Sequence, residues 1–272
     1  MKKISLTLLT LIIFPFYAGQ IILAQDNSTV RKNYKFLVDG EDLTYVVRFG
    51  PIELGEVRVK IQNVIKENNH KYFFTIGYID SYSGVPFVDL HQIYESKFDT
   101  TYYPVFFRGT IKDEEDTTYT EYHFDKKNMK VRVIKGNRSS EDIWIDSTGK
   151  MESFYQDGLS LFYYARMKLG KNHSENIPCF VAEKKEKTLI NFHNEPEGVS
   201  IDAVDYDIDC IHLDGNTDFV SIFGLTGYFE GWFSNDEASI PIVAKMKVII
   251  GNITLELKKW KRTGWNPPVY KN

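Results

Sequence analysis

Histidine spacing is the first place to look for chemistry in this chain. Six histidines, His70, His91, His123, His173, His193 and His212, are scattered along 272 residues. None is paired at the i, i+2 or i, i+4 spacing that aims two imidazoles at one ion from a single strand or helix, so no metal site is expected. His193, in Asn191-Phe192-His193-Asn194-Glu195, is the most tempting general base, but a lone histidine beside a turn reads first as a solvated loop residue. Asp205, Asp207 and Asp209 alternate as calcium ligands do when they open an EF-hand loop. The sixth position of that loop would be Cys210 instead of Gly, and the twelfth Asn216 instead of Glu. A strand accounts for them better, with Tyr206, Ile208 and Cys210 pointing inward and the three Asp to water.

Covalent chemistry has no better footing. There is no Gly-x-Ser-x-Gly elbow, no phosphate-cradling glycine loop and no dinucleotide fingerprint, so neither catalytic residues nor cofactors are expected. Cys179 or Cys210 as a nucleophile needs a partner histidine and an electropositive, accessible setting, which strand positions do not supply. Carboxylates are plentiful, and an acid/base hydrolase acting on an envelope glycan is the enzymatic alternative, although spacing identifies no pair. Aromatic side chains carry the remaining signal. Tyr228, Phe229, Trp232 and Phe233 crowd one strand, and Tyr155, Tyr163 and Tyr164 lie on or beside a helix with Phe162. Core and edge packing explains them. The functional reading is an apolar cleft walled by Phe162, Tyr163, Tyr228, Trp232 and Phe233 that holds a lipid, a lipoprotein or a hydrophobic peptide segment.

The elements that would position these groups are mostly strands. Leu43, Tyr45, Val47 and Phe49 alternate with polar residues, as do Val57, Val59 and Ile61, and Lys71 to Asp80 is apolar on both sides at several positions. Phe87, Leu90, His91 and Tyr94 fit helical spacing, so Val85 to Phe98 is expected as a short helix or irregular crossover. Further strands are expected at Tyr102 to Ile111, Thr117 to Phe124, Met129 to Ile134 and, in β-type runs, from Ile177 to Trp260. Turns between those later runs are expected at Asn194 to Gly198, Asp214 to Asn216 and Ser234 to Glu237. The exception is Asp157 to Leu169. Asp157 can cap the free N–H groups, Leu159, Phe162, Tyr163, Arg166 and Met167 share a face, and Gly170 stops the helix. A helix of about three turns cannot bury its stripe alone and must lie against the sheet.

Composition sets the address. Lys2 and Lys3 precede an uncharged run from Ile4 to Gln25, the layout of a secretory signal peptide; Pro15 and Gly19 interrupt it, which favours cleavage over an uncleaved anchor. No cysteine near its end offers a thiol for a bacterial lipid anchor. The expected organisation is a signal peptide at 1–24, a flexible segment at 25–35, one β domain at 36–262 and a tail at 263–272. The mature protein is expected to be exported or periplasmic and not an integral membrane protein. Losing Lys2 and Lys3 takes the net charge from −4 to −6, and no charge block suggests a nucleic-acid partner. Cys179 and Cys210 could close a loop of about 31 residues worth roughly 3 to 4 kcal/mol. They fit equally as two buried thiols, the reading favoured here because a domain of this size needs no staple.

Three segments stand out together: Gly40-Glu41-Asp42-Leu43-Thr44-Tyr45 through Arg48-Phe49-Gly50-Pro51-Ile52 to Gly55-Glu56, Asp157-Gly158-Leu159-Ser160-Leu161-Phe162-Tyr163-Tyr164-Ala165-Arg166, and Trp232-Phe233-Ser234-Asn235-Asp236 through Ile240-Pro241 to Gly251. In that order they resemble the opening strand pair, the single helix and the closing strands of one bacterial family of unknown function, DUF3108. The resemblance implies an exported, β-rich envelope protein and brings no activity, ligand or catalytic residue with it. The expected fold is a curved antiparallel sheet or incomplete β-barrel with one main amphipathic helix plugging its open side, like the half-barrels of periplasmic lipoprotein carriers by analogy. The expected role is a nonenzymatic binding or assembly module. The alternatives are the glycan hydrolase above and a structural protein that pairs through an exposed sheet edge.

Overall fold

The structure, a computed structural model, describes residues 37–272 except 68–69, 86–87, 114–115, 221–223, 250 and 272. The expected signal peptide and the flexible segment at 25–35 lie outside the described residues. Eight strands come first: β1 (Asp42–Phe49), β2 (Ile52–Glu67), β3 (His70–Ser81), β4 (His91–Asp99), β5 (Pro104–Lys112), β6 (Thr117–Asp125), β7 (Lys130–Asn137) and β8 (Ile143–Lys150). Helix α1 (Gly158–Lys168) follows. The chain then returns through β9 (His173–Val181), β10 (Lys184–Phe192), β11 (Glu197–Val199), β12 (Ile208–Thr217), β13 (Leu225–Ser234), β14 (Pro241–Val248) and β15 (Gly251–Lys261).

All the strands join one 15-stranded sheet in the order β8, β7, β6, β5, β4, β3, β2, β1, β15, β14, β13, β12, β10, β9, with β11 paired on β12. Every pairing between these strands is antiparallel. The sheet curls on itself without closing. Tyr122 of β6 and Phe180 of β9 meet edge to face with ring centroids 4.9 Å apart, and the Glu183 N–H donates to the Tyr122 hydroxyl at 3.3 Å. Strands from opposite ends of the sheet therefore touch through side chains, which makes the fold barrel-like. The free edge of β9 is occupied by the segment before the helix: Gln156 N–H donates to Pro178 O, and Phe180 N–H donates to Gln156 O, each at 2.8 Å. The edge of β8 is exposed along its whole length.

Helix α1 lies inside the curl, packed against β3, β4 and β9. The sequence signals at its ends are realised. Asp157 Oδ1 accepts from Leu159 N–H at 2.8 Å and Ser160 N–H at 2.7 Å, while the Asp157 N–H donates back to Ser160 Oγ at 3.0 Å. Beyond the helix, Gly170 has φ +86, the left-handed turn that favours glycine. Leu159 is fully buried and rests over Gly77 of β3, where an added Cβ would lie 3.6 Å from Leu159 Cδ1. A larger side chain at 77 would therefore press on the helix.

At its other end the helix is tied by charge. Arg166 reaches Glu41 through Nη1 at 2.7 Å and Nη2 at 3.2 Å, and donates to the carbonyls of Ala238 at 3.0 Å and Ser239 at 3.1 Å. Arg262 also binds Glu41. Both Arg166 and Glu41 are buried, so this fork links the helix to the start of β1 and to the β13–β14 turn.

Several expectations need correction. His91 to Asp99 is strand β4, not a helix or crossover: Tyr94, Ser96 and Phe98 point inward in alternation. Asp214 to Asn216 is not a turn but the interior of β12. Asp205 and Asp207 precede β12 in irregular backbone, so only Asp209 of that trio is on a strand. The cysteines, by contrast, keep the reading favoured above: the thiols of Cys179 and Cys210 are free and buried, on β9 and β12. Residues 268–270 run beside the start of β12, with Asp209 N–H donating to Pro268 O and Tyr270 N–H to Asp207 O, each at 2.8 Å.

Candidate functional site

The interior has two unlike halves. Under β3 to β7 and β9 it is filled by rings: Phe73 against Phe98, Phe98 against Tyr163 of the helix at 5.4 Å, Tyr94 against Phe107, and Phe107 against Tyr122 at 5.2 Å. On the other side of α1, beneath β1, β2, β10 and β12 to β15, the side chains are mainly aliphatic and do not fill the space. A cavity of about 160 Å³ remains there, with Leu161, Phe162 and Ala165 of the helix facing Leu213, Phe233, Ala244 and Leu255 of the sheet.

A second cavity of about 480 Å³ adjoins it, and Val57 and Leu255 line both. Its far end lies among the turns at one end of the sheet, at Leu90, Val220 and Ile249. These residues are exposed, Ile249 at 79 % and Val220 at 46 %, and nearby Phe49 and Ile52 are exposed too. Phe49 meets Gly251 in the next hairpin. An exposed apolar rim is therefore continuous with the apolar part of this lining, unlike surface hydrophobics scattered singly.

Carboxylates at this mouth have side-chain partners. Glu56 accepts from Lys258 Nζ at 3.0 Å and from Tyr82 OH at 3.1 Å, while Asp80 and Asp89 contact the two nitrogens of His91 at 3.0 and 3.3 Å. Burial pushes the Glu56 pKa up, but the hydrogen bonds from Lys258 and Tyr82 outweigh it and hold the group below the ordinary glutamate value. A glycosidase acid needs the opposite shift.

The five residues singled out from sequence do not share one wall. Phe162 and Phe233 line the inner cavity. Tyr163 is buried on the filled side, against Phe98. Tyr228 and Trp232 lie on the opposite, outer face of β13, because alternation turns them away from Phe229, Gly231 and Phe233. Trp232 Nε1 donates to Glu197 Oε1 at 2.6 Å there, and Tyr228 is 51 % exposed. The aliphatic lining from Val57, Leu213, Ala244 and Leu255 was missed, since it comes from strands far apart in sequence. Its inward period of two was the available signal.

Strand register also creates a neighbourhood that spacing along the chain hides. His193 follows β10, and its N–H donates to His212 O at 2.9 Å, which sets the two imidazoles side by side with centroids 5.2 Å apart and planes 13° from parallel. His193 Nε2 hydrogen-bonds Asp214 Oδ2 at 2.6 Å.

The family profile of DUF3108, described as a protein of unknown function, matches residues 44–258. The chain belongs to the DUF3108 family. Comparison with curated proteins finds no match. In fold, this DUF3108 protein is similar to the crystal structure of a beta-barrel-like protein of the domain of unknown function DUF1849 from Brucella abortus, with TM-score 0.50, 12% identity, and coverage of 86% of this chain and 99% of that one. A Bacteroides fragilis protein with a YmcC-like fold matches at TM-score 0.37 and 8% identity, over 83% of this chain and 97% of that one. Among the described residues of the DUF3108 chain, no helix is long and apolar enough to cross a membrane.

Proposed function

We propose that this DUF3108 protein is an exported, nonenzymatic carrier or assembly module that holds a hydrophobic segment, an acyl chain, between helix α1 and the aliphatic half of the sheet. The observation that carries this reading is the inner cavity beside Phe162, Leu213 and Ala244, adjoining a second one that ends in an exposed apolar rim. The larger cavity alone falls in the range of roughly 300 to 1,000 Å³ usual for small-molecule sites. The inner cavity's lining offers dispersion and desolvation but few polar partners, which suits a chain of methylenes gaining about 0.8 kcal/mol each on burial. Export rests on Lys2, Lys3 and the uncharged run to Gln25. The glycan-hydrolase alternative draws no support from the mouth, where Glu56 is held ionised by Lys258 and Tyr82.

The test is ligand retention. Mature protein incubated with an envelope lipid extract and repurified is expected to carry acyl lipids by mass spectrometry. Ala244→Phe, which fills the inner cavity, is expected to carry far less at unchanged fold. Repurification of empty wild-type protein, or equal loading of both proteins, would overturn the reading.

A further inference from the structure

On the outer face of the sheet, away from the apolar cavity, three elements bring nitrogen and oxygen donors together. One imidazole nitrogen each of His193 and His212 and a carboxylate oxygen of Asp214 all lie within 4.8 Å of one another. Asp214 Oδ1 accepts from Asn191 Nδ2 at 2.7 Å, which fixes the carboxylate from behind. His212 is packed between the His193 ring and the Trp232 ring, whose centroid is 4.9 Å away. Its Nε2 is buried and has no hydrogen-bond partner, with Glu230 Oε1 3.8 Å away. Glu230 sits directly opposite Asp214 in the β12–β13 register and accepts from Tyr228 OH at 3.2 Å.

An imidazole nitrogen enclosed without a partner is costly to keep in a fold unless something satisfies it. Here its ring lies beside the Glu230 carboxylate and in one cluster with the Asp214 carboxylate and a second imidazole, all ordinary ligands of zinc. The side chain of His193 is 41% exposed, so the cluster is open to solution on one side. We propose that His193, His212 and Asp214, with Glu230 as fourth donor, form a binding site for a divalent transition cation of the zinc class. Donors now within 4.8 Å close to the spacing of ligands that each lie about 2 Å from one ion by small side-chain rotations. The proton shared by His193 and Asp214 leaves to solvent as the ion enters. Asn191, which orients Asp214, is a positioning residue in this scheme.

Site and cavity are on opposite faces, so this inference stands or falls apart from the carrier reading. The experiment is equilibrium dialysis of the untagged mature protein against zinc chloride, with metal content measured by plasma mass spectrometry. One zinc per chain is expected. His193→Gln and Asp214→Asn are each expected to weaken binding at least about tenfold, and Asn191→Ala by about tenfold, as outer partners of metal ligands do. His123→Gln, at the exposed pair with Glu121, is expected to change nothing. Cobalt substituted for zinc gives a second readout, a visible absorption band that the His193 and Asp214 variants lose. No zinc uptake by the native protein would overturn the proposal, as would uptake that both His193→Gln and Asp214→Asn leave unchanged.

Discussion

Truncating two neighbouring helix residues should reverse the order expected from side-chain size. Leu159 is 0% exposed and lies between the helix backbone and Gly77, in a part of the interior where strands β3 and β4 are fixed by their hydrogen-bonded ladder. Leu159→Ala removes three carbons, about 2.4 kcal/mol at 0.8 per methylene. The hole cannot collapse, and a cavity term of about 24 cal/mol per Å³ adds to it, for a total of about 3 to 5 kcal/mol. Phe162 loses more atoms on truncation but is only half-buried and faces a cavity that already exists. Phe162→Ala enlarges that space without opening a new one, and partial burial puts its cost at about 1 to 2 kcal/mol. Equilibrium urea unfolding followed by circular dichroism measures both, with an unchanged m-value confirming that the midpoint shift is stability. A larger loss for Phe162→Ala than for Leu159→Ala would refute the division of the interior into a filled and an open half.

Arg166→Met leaves Glu41 buried with Arg262 and strips two carbonyls of a donor, and is expected to cost about 3 to 5 kcal/mol in the same assay; a loss below 1 kcal/mol would show that the fork is dispensable. Burial raises the Asp157 carboxyl pKa to about 6, outweighing the hydrogen bonds from Ser96, Ser160 and Leu159 that lower it. Between the unfolded value near 4 and about 6 the folded state binds more protons, so this group's contribution falls as pH rises through that window, by about 3 kcal/mol in all. The stability difference between native protein and Asp157→Asn should therefore shrink or change sign between pH 4 and pH 7, and a constant difference would contradict the shift. Burial pushes the Cys179 thiol up to about 12 and also raises that of Cys210. Neither should react with a thiol reagent until the protein unfolds, when two thiols per chain should appear; none appearing would mean a disulfide.

How much of this was legible in the sequence depends on whether the signal was local. Helix α1 was, because its cap and Gly170 lie at its own ends, although the stripe expected on one face is split, with Phe162 at the inner cavity and Tyr163 against Phe98. Most strands were too, from their period of two. Strand β4 was not, because Ser96 occupies an inward position where an apolar residue would show the alternation; its hydroxyl donates to Asp157 Oδ2 at 2.6 Å. Strand β8 was missed since every residue in it is exposed, Ile143 and Trp144 included, so no face is distinguished. Arg166 was placed on the helix stripe, but its partner Glu41 lies 125 residues away. The aromatic cluster misled at Tyr228 and Trp232, where adjacency in sequence to Phe229 and Phe233 was read as a shared wall although neighbours on a strand face opposite ways. The histidine cluster depends on the β10–β12–β13 register, which no spacing rule along one strand can supply.

The central claim is that an acyl chain lies between α1 and the aliphatic half of the sheet. Photo-crosslinking with a diazirine-bearing fatty acid, followed by peptide mapping, tests it most directly. Adducts are expected on the α1 peptide around Leu161, Phe162 and Ala165 and on the β14–β15 peptides around Val243, Ala244 and Leu255, and they should be lost in Ala244→Phe. Adducts confined to outer-face peptides such as those of β8, or labelling unaffected by Ala244→Phe, would contradict the account.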